Sequence, residues 1–147
     1  MKLIQDITEG EEISHQITIT FRLYQQFMDL SGDTSPIHSN KNFAQAHGFK
    51  DVLGYAFLLT ALLSKIYGTI FPGGSELCLQ QECNFPKPYY INDTLTFKIK
   101  VLNKNESLKL LTVMTTIEDQ QEQLIFKGKA VFQLSLNKNL EENYGSL

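Results

Sequence analysis

At 147 residues the chain has the length of one domain with a proper core, and a two-domain organisation is disfavoured. With 42% hydrophobic and 20% charged residues and a mean hydropathy of -0.17, the composition excludes a disordered or fibrous chain. A formal net charge of -3 with no basic run argues against nucleic-acid binding, and the acidic N-terminus and lack of about 20 consecutive apolar residues argue against a leader or membrane span, so a cytoplasmic location is expected.

In chain order, residues 1–14 are acidic and mixed, and His15 to Thr20 alternates polar and apolar residues with the period of a half-buried strand. Leu23, Phe27 and Leu30 follow at three- and four-residue steps behind Thr20, a good N-cap, which predicts an amphipathic helix ended by Ser31-Gly32. Pro36 fixes its own φ and drives Ser35 towards extended geometry, so Asp33 to His38 should form a tight, rigid loop with both side chains on one side. Ser39 or Asn40 can cap a short helix over Phe43, Ala44 and Ala46, stopped by Gly48.

The segment from Leu53 to Tyr67 is apolar on nearly every side up to Lys65, the pattern of a buried helix, and Gly68 and Pro72-Gly73-Gly74 break it. Strands are expected over Glu76 to Phe85, Thr94 to Leu102, Leu108 to Glu118 and Leu124 to Leu136, with polar turns at 92–93, 103–106 and 119–122. Short turns between successive strands make an antiparallel sheet. The expectation is therefore an α+β single domain over 1–147, an antiparallel sheet wrapped around one central apolar helix, with 137–147 a poorly ordered polar tail. A sheet covered by only one such helix leaves an edge and part of a face for a second subunit.

Cys78 and Cys83 sit on one expected strand about 16 Å apart, too far for a disulfide. The three histidines, His15, His38 and His47, lack the spacing of metal ligands, and no metal is expected.

The stretch Phe27-x-x-Leu-Ser-Gly-Asp-Thr-Ser-Pro-Ile-His38 resembles the Gly-Asp-x-Asn-Pro-x-His signature of the MaoC-like, or (R)-specific enoyl-CoA hydratase, family of the hot-dog fold. Asn84-Phe-Pro-Lys-Pro88 with Asn92-Asp93-Thr-Leu95 resembles that family's F-x-x-P … G-D-x-L stretch, and the resemblance covers nearly the whole chain. It implies reversible syn addition of water to a trans-2-enoyl thioester of coenzyme A or an acyl carrier protein, without cofactor or metal. It also implies a homodimer or dimer of dimers.

Asp33 and His38 would then hold one water as the catalytic pair, each tuned by partial burial. The start of the central helix would supply a backbone N–H to the developing enolate oxygen. Ungapped counting puts Ala56 there, after Tyr55, where the family usually carries His-Gly; a two-residue shift would put Gly54 there. The same counting gives Ser64 a supporting role. Ser35 stands where the family has asparagine and would support the loop. Tyr55, Phe85, Lys87 and Tyr89 are the expected substrate contacts. A non-catalytic thioester-binding module is the alternative, disfavoured by the retained acid and imidazole; a thioesterase is disfavoured because Leu53 to Tyr67 holds no Asp or Glu.

Overall fold

The structure, a computed structural model, describes residues 1–74 and 76–134. Five strands form one sheet in the order β1-β3-β4-β5-β2, every neighbouring pair antiparallel. In chain order these are β1 (Glu12–Thr18), β2 (Glu76–Gln81), β3 (Thr94–Asn105), β4 (Leu110–Glu118) and β5 (Leu124–Leu134). Four helices lie between β1 and β2: α1 (Phe21–Ser31), α2 (Pro36–Ser39), α3 (Lys41–Ala46) and α4 (Ala56–Thr69). The expected α+β class is the observed one. The segment 137–147, expected to be a poorly ordered tail, lies outside the described residues.

The core forms where period two meets period 3.6. Leu95, Phe97, Ile99 and Val101 of β3 alternate inward, as do Leu111, Val113 and Ile117 of β4. They join one buried cluster with Leu58, Leu59, Leu62, Leu63, Ile66 and Tyr67 of α4. Thr115 interrupts the β4 pattern with a fully buried hydroxyl, and the Tyr67 hydroxyl lies 2.7 Å from it, so neither polar group is left unpaired in the core. No helix of the described residues is long and apolar enough to cross a membrane.

Several boundaries differ from the expected ones. β1 starts at Glu12 rather than His15, because Glu12 pairs in register with Lys100 and their side chains form an ion pair at 2.9 Å. It ends at Thr18, since Thr20 leaves the strand to cap α1, accepting from Leu23 N–H at 3.2 Å. Leu30, counted on the buried face of α1, is 83% exposed; Tyr24 fills the buried position instead. Asp33 to His38 is not purely loop, because Pro36 starts the helical turn α2.

Gly68 does not stop the central helix, which runs on to Thr69. That helix is not buried all round either: Phe57, Ala61, Ser64 and Lys65 form an exposed stripe. β3 runs to Asn105, so the turn expected at 103–106 falls at 106–109. β2 ends at Gln81 rather than Phe85, after a bulge between Cys78 and Gln80, and among the described residues the pairing beyond it is an isolated bridge from Asn84 to Lys127. There a Cβ on Gly128 would overlap the Glu82 carbonyl oxygen, so only glycine lets the two segments approach this closely.

Candidate active site

Gly32 ends α1 in the left-handed conformation (φ 69°), donating its N–H to the Met28 carbonyl at 2.9 Å. The chain thus leaves the helix at once, and Asp33 begins a turn of its own. Ser35 N–H donates to Asp33 Oδ1 at 3.1 Å, an Asx turn that fixes the carboxylate. Ser35 is extended (ψ 144°), as a residue before proline must be, and Pro36 opens the turn that carries His38.

His38 is held from three sides. Its Nδ1 lies 2.8 Å from the Leu53 carbonyl oxygen, which can only accept, so Nδ1 carries a proton, and in the neutral imidazole it is Nε2 that presents the lone pair. Its ring stacks on Tyr55 at 4.1 Å between centroids. Its backbone carbonyl accepts from the Tyr24 hydroxyl at 2.6 Å, and the same hydroxyl lies 2.9 Å from the Leu53 carbonyl. Nε2 faces Asp33 Oδ2 at 4.0 Å, too long for a hydrogen bond but a span that one water can bridge.

Hydrogen bonds from Ser35, the hydroxyl first and then the backbone N–H, hold the Asp33 carboxyl below the usual carboxylate range, with the neighbouring imidazole adding to the effect. The carboxyl is therefore an acceptor at neutral pH. Removing the hydroxyl in Ser35→Ala takes a donor from the ionised form while leaving the backbone one. The Asp33 pKa should consequently rise part of the way to its ordinary value, as read by titrating its side-chain carboxyl carbon by NMR; an unmoved midpoint would contradict this account.

Beside His38 opens a cavity of about 320 Å³ walled by Gly54, Ala56, Phe85, Lys87 and Tyr89, with Leu59 and Ile125 among its apolar lining. Phe85 is anchored edge-on against the buried Phe126 at 5.4 Å. The N-terminus of α4 meets this cavity. Its N-cap, Tyr55, makes no side-chain capping bond, so the N–H groups of the first turn point out uncapped. Gly54, the alternative donor, already gives its N–H to the Tyr89 carbonyl at 2.7 Å, which leaves Ala56 as the available one.

Two expected residues are placed elsewhere. Ser64 lines a separate cavity of about 360 Å³ with Thr60, Tyr67, Glu76 and Gln81. Eight residues of helix put it about 12 Å along the axis from Ala56, so within this chain it does not join Asp33 and His38. Tyr55, expected to touch substrate, is only 2% exposed and lies under His38 rather than in the cavity wall. Conversely, Tyr24 and the Leu53 carbonyl, which fix His38, were not expected in the site. The one available signal was a tyrosine on the buried face of α1, whose hydroxyl must find a partner.

Comparison with known proteins places this geometry in context. The family model described as "MaoC like domain" matches residues 5–123. An (R)-specific enoyl-CoA hydratase of Rhodospirillum rubrum is 33% identical over 112 residues, covering 76% of this chain and 78% of the relative. The (R)-specific enoyl-CoA hydratase of Aeromonas caviae is 31% identical over 108 residues, 74% of this chain and 81% of the relative. A solved A. caviae (R)-hydratase superimposes with a TM-score of 0.83 at 27% identity, covering 88% of this chain and 98% of that one. An unliganded R-hydratase of Pseudomonas aeruginosa shares the fold, with a TM-score of 0.84 at 24% identity over 92% of this chain and 86% of that one.

Proposed function

The chain belongs to the MaoC-like family of hot-dog folds, and from that premise we propose that it is a hydro-lyase adding water reversibly to trans-2-enoyl thioesters, giving (R)-3-hydroxyacyl thioesters. The observation that carries this reading is the 4.0 Å gap between His38 Nε2 and Asp33 Oδ2 at the edge of an apolar cavity. Two acceptors at that spacing take one hydrogen each from a single water and turn its oxygen lone pair outward.

The steps balance on this chain's own groups. The water oxygen bonds to C3 of the enoyl chain as its proton passes to His38 Nε2. The π electrons move onto the thioester carbonyl, giving an enolate whose oxygen meets the Ala56 N–H at the positive end of α4. The enolate collapses by taking the proton from the imidazolium onto C2, so H and OH enter on the face where His38 and Asp33 stand. Asp33, ionised throughout, orients the water and stabilises the imidazolium. In dehydration the same steps run backwards.

Lys87 borders the cavity and suits the phosphates of coenzyme A or the acidic surface of a carrier protein. A homodimer belongs to the same reading: Leu77 and Leu79 lie exposed on β2, the last strand of the sheet, and Phe57 on α4 is 69% exposed.

The test is the loss of conjugated enoyl-thioester absorbance with crotonyl-CoA and with a longer enoyl-CoA, followed by chiral analysis of the product. Turnover to the (R)-alcohol is the expected result. Binding of both thioesters without turnover would instead leave a thioester-binding module.

A further inference from the structure

Tyr55 touches every part of the candidate centre without reaching the cavity. Its hydroxyl donates to the Asp33 backbone carbonyl at 2.6 Å. Its ring stacks on His38 at 4.1 Å and an interplanar angle of 30°. Its own carbonyl accepts from the Tyr89 hydroxyl at 2.6 Å, and the next residue is Ala56, the first of α4. The ring is itself wedged between Tyr24 at 4.8 Å and Phe27 at 5.0 Å, both from α1, and is 2% exposed. These contacts and its burial hold the ring in place.

We propose that Tyr55 is a positioning residue that holds the Asp33 carboxylate and the His38 imidazole in register with each other and with the N-terminus of α4. The inference rests on the hydratase reading for its kinetic consequence, but the placement of His38 is independent of that reading. The contacts of Tyr55 add to those that Leu53 and Tyr24 make with the same loop. Asp33 is exposed on a turn, and its local bonds are to Ser31 and Ser35, within the same loop. The bond from Tyr55 ties Asp33 itself to the residue that enters α4, two residues beyond Leu53, which holds Ile37 and His38. For His38, the Leu53 carbonyl sets the tautomer and the position of Nδ1, but a single hydrogen bond leaves the ring free to rotate about it. The stack against Tyr55 removes that freedom and so aims Nε2 at Asp33.

The hydroxyl remains a donor throughout the working range, because burial, with the nearby Asp33 carboxylate adding to it, raises its pKa. A residue acting this way alters the rate of the chemical step more than ground-state binding, since it touches no substrate.

Two variants separate its two contacts. Tyr55→Phe keeps the ring and loses the bond to Asp33; Tyr55→Leu loses both. With crotonyl-CoA, kcat should fall about tenfold in Tyr55→Phe and about a hundredfold in Tyr55→Leu, with KM within about twofold of wild type in each. In parallel, the His38 ring-proton resonances, shifted upfield by the stacked ring, should stay near their wild-type positions in Tyr55→Phe and move downfield in Tyr55→Leu.

A Tyr55→Phe enzyme with wild-type kcat, or a loss confined to KM, would overturn the proposal; so would unmoved His38 resonances in Tyr55→Leu. Should Tyr55→Leu not fold, the kcat of Tyr55→Phe decides. Should the wild-type protein hydrate no enoyl thioester, the hydratase reading fails on that result, and the His38 resonances alone decide whether Tyr55 holds the ring.

Discussion

Asp33→Asn and His38→Ala should each lower enoyl-thioester hydration by about a hundredfold or more, the range that a positioned acid or base contributes. The two losses should differ in size. Asparagine still accepts the Ser35 N–H through its carbonyl oxygen and still offers the water a polar contact, so the first variant loses charge while keeping shape. Alanine removes the one group able both to take the water's proton and to return it to C2. His38→Ala should thus be the more severe, and the double variant should be little worse than His38→Ala, because a pair working on one water does not contribute additively.

Neither substitution should unfold the protein. The Asp33 side chain is 46% exposed, and when the imidazole is lost the Leu53 carbonyl still lies 2.9 Å from the Tyr24 hydroxyl, whose one hydrogen it can share with the His38 backbone carbonyl. Initial rates with crotonyl-CoA, read beside circular dichroism, provide the check. Losses below about tenfold in both folded variants would be too small for general acid–base catalysis, and the water-holding roles would have to be withdrawn.

The reason this pair could be singled out from the sequence is local: Ser31-Gly32 ends a helix and Pro36 starts a turn, so the short segment from Asp33 to His38 carries both groups in a geometry set by its own residues. The strands were legible for the same kind of reason, since the alternation in β3 and β4 is the burial pattern itself. What could not be read depends on contacts between distant segments. Tyr55 next to an apolar helix resembles a pocket wall, and its role under His38 follows from packing against α1, some thirty residues earlier. Leu30 satisfies the helical period but falls in the last turn before Gly32, beyond the neighbours that cover Tyr24. Ser64 shows the limit of counting along a motif: it gives a helix position, and the structure gives that position a different cavity. The apolar run of α4 likewise predicts burial, yet Phe57 is left exposed, because apolar sequence specifies what a surface prefers rather than what is present to cover it.

Gly54→Ala should damage stability and activity together, through a contact that only glycine permits. A Cβ on residue 54 would overlap the ring of Tyr89, whose Cε2, Cζ and Cδ2 atoms lie directly against it. That ring is 2% exposed, and its hydroxyl donates to the Tyr55 carbonyl at 2.6 Å, so it cannot swing aside without giving up the bond at the entry to α4. The alternative is for residue 54 to retreat, which stretches the 2.7 Å bond from its own N–H to the Tyr89 carbonyl. By either route the helix N-terminus shifts relative to His38.

An overpacked site of this kind costs about 1–3 kcal/mol, to be read as a lowered midpoint of urea unfolding. The displaced N-terminus should lower kcat/KM for crotonyl-CoA by roughly tenfold, less than the hundredfold or more that outright loss of an oxyanion donor costs. The decisive comparison is the double variant Gly54→Ala/Tyr89→Leu, which trades the ring for a smaller side chain. Tyr89→Leu alone removes the hydroxyl bond and leaves space, space that the alanine methyl then occupies. The double variant should therefore be more stable than the sum of the single losses by about 1 kcal/mol or more, the coupling expected of residues in direct contact. Additive losses, or a Gly54→Ala protein within about 0.5 kcal/mol of wild type, would show that the Tyr89 ring is not what fixes the entry to α4.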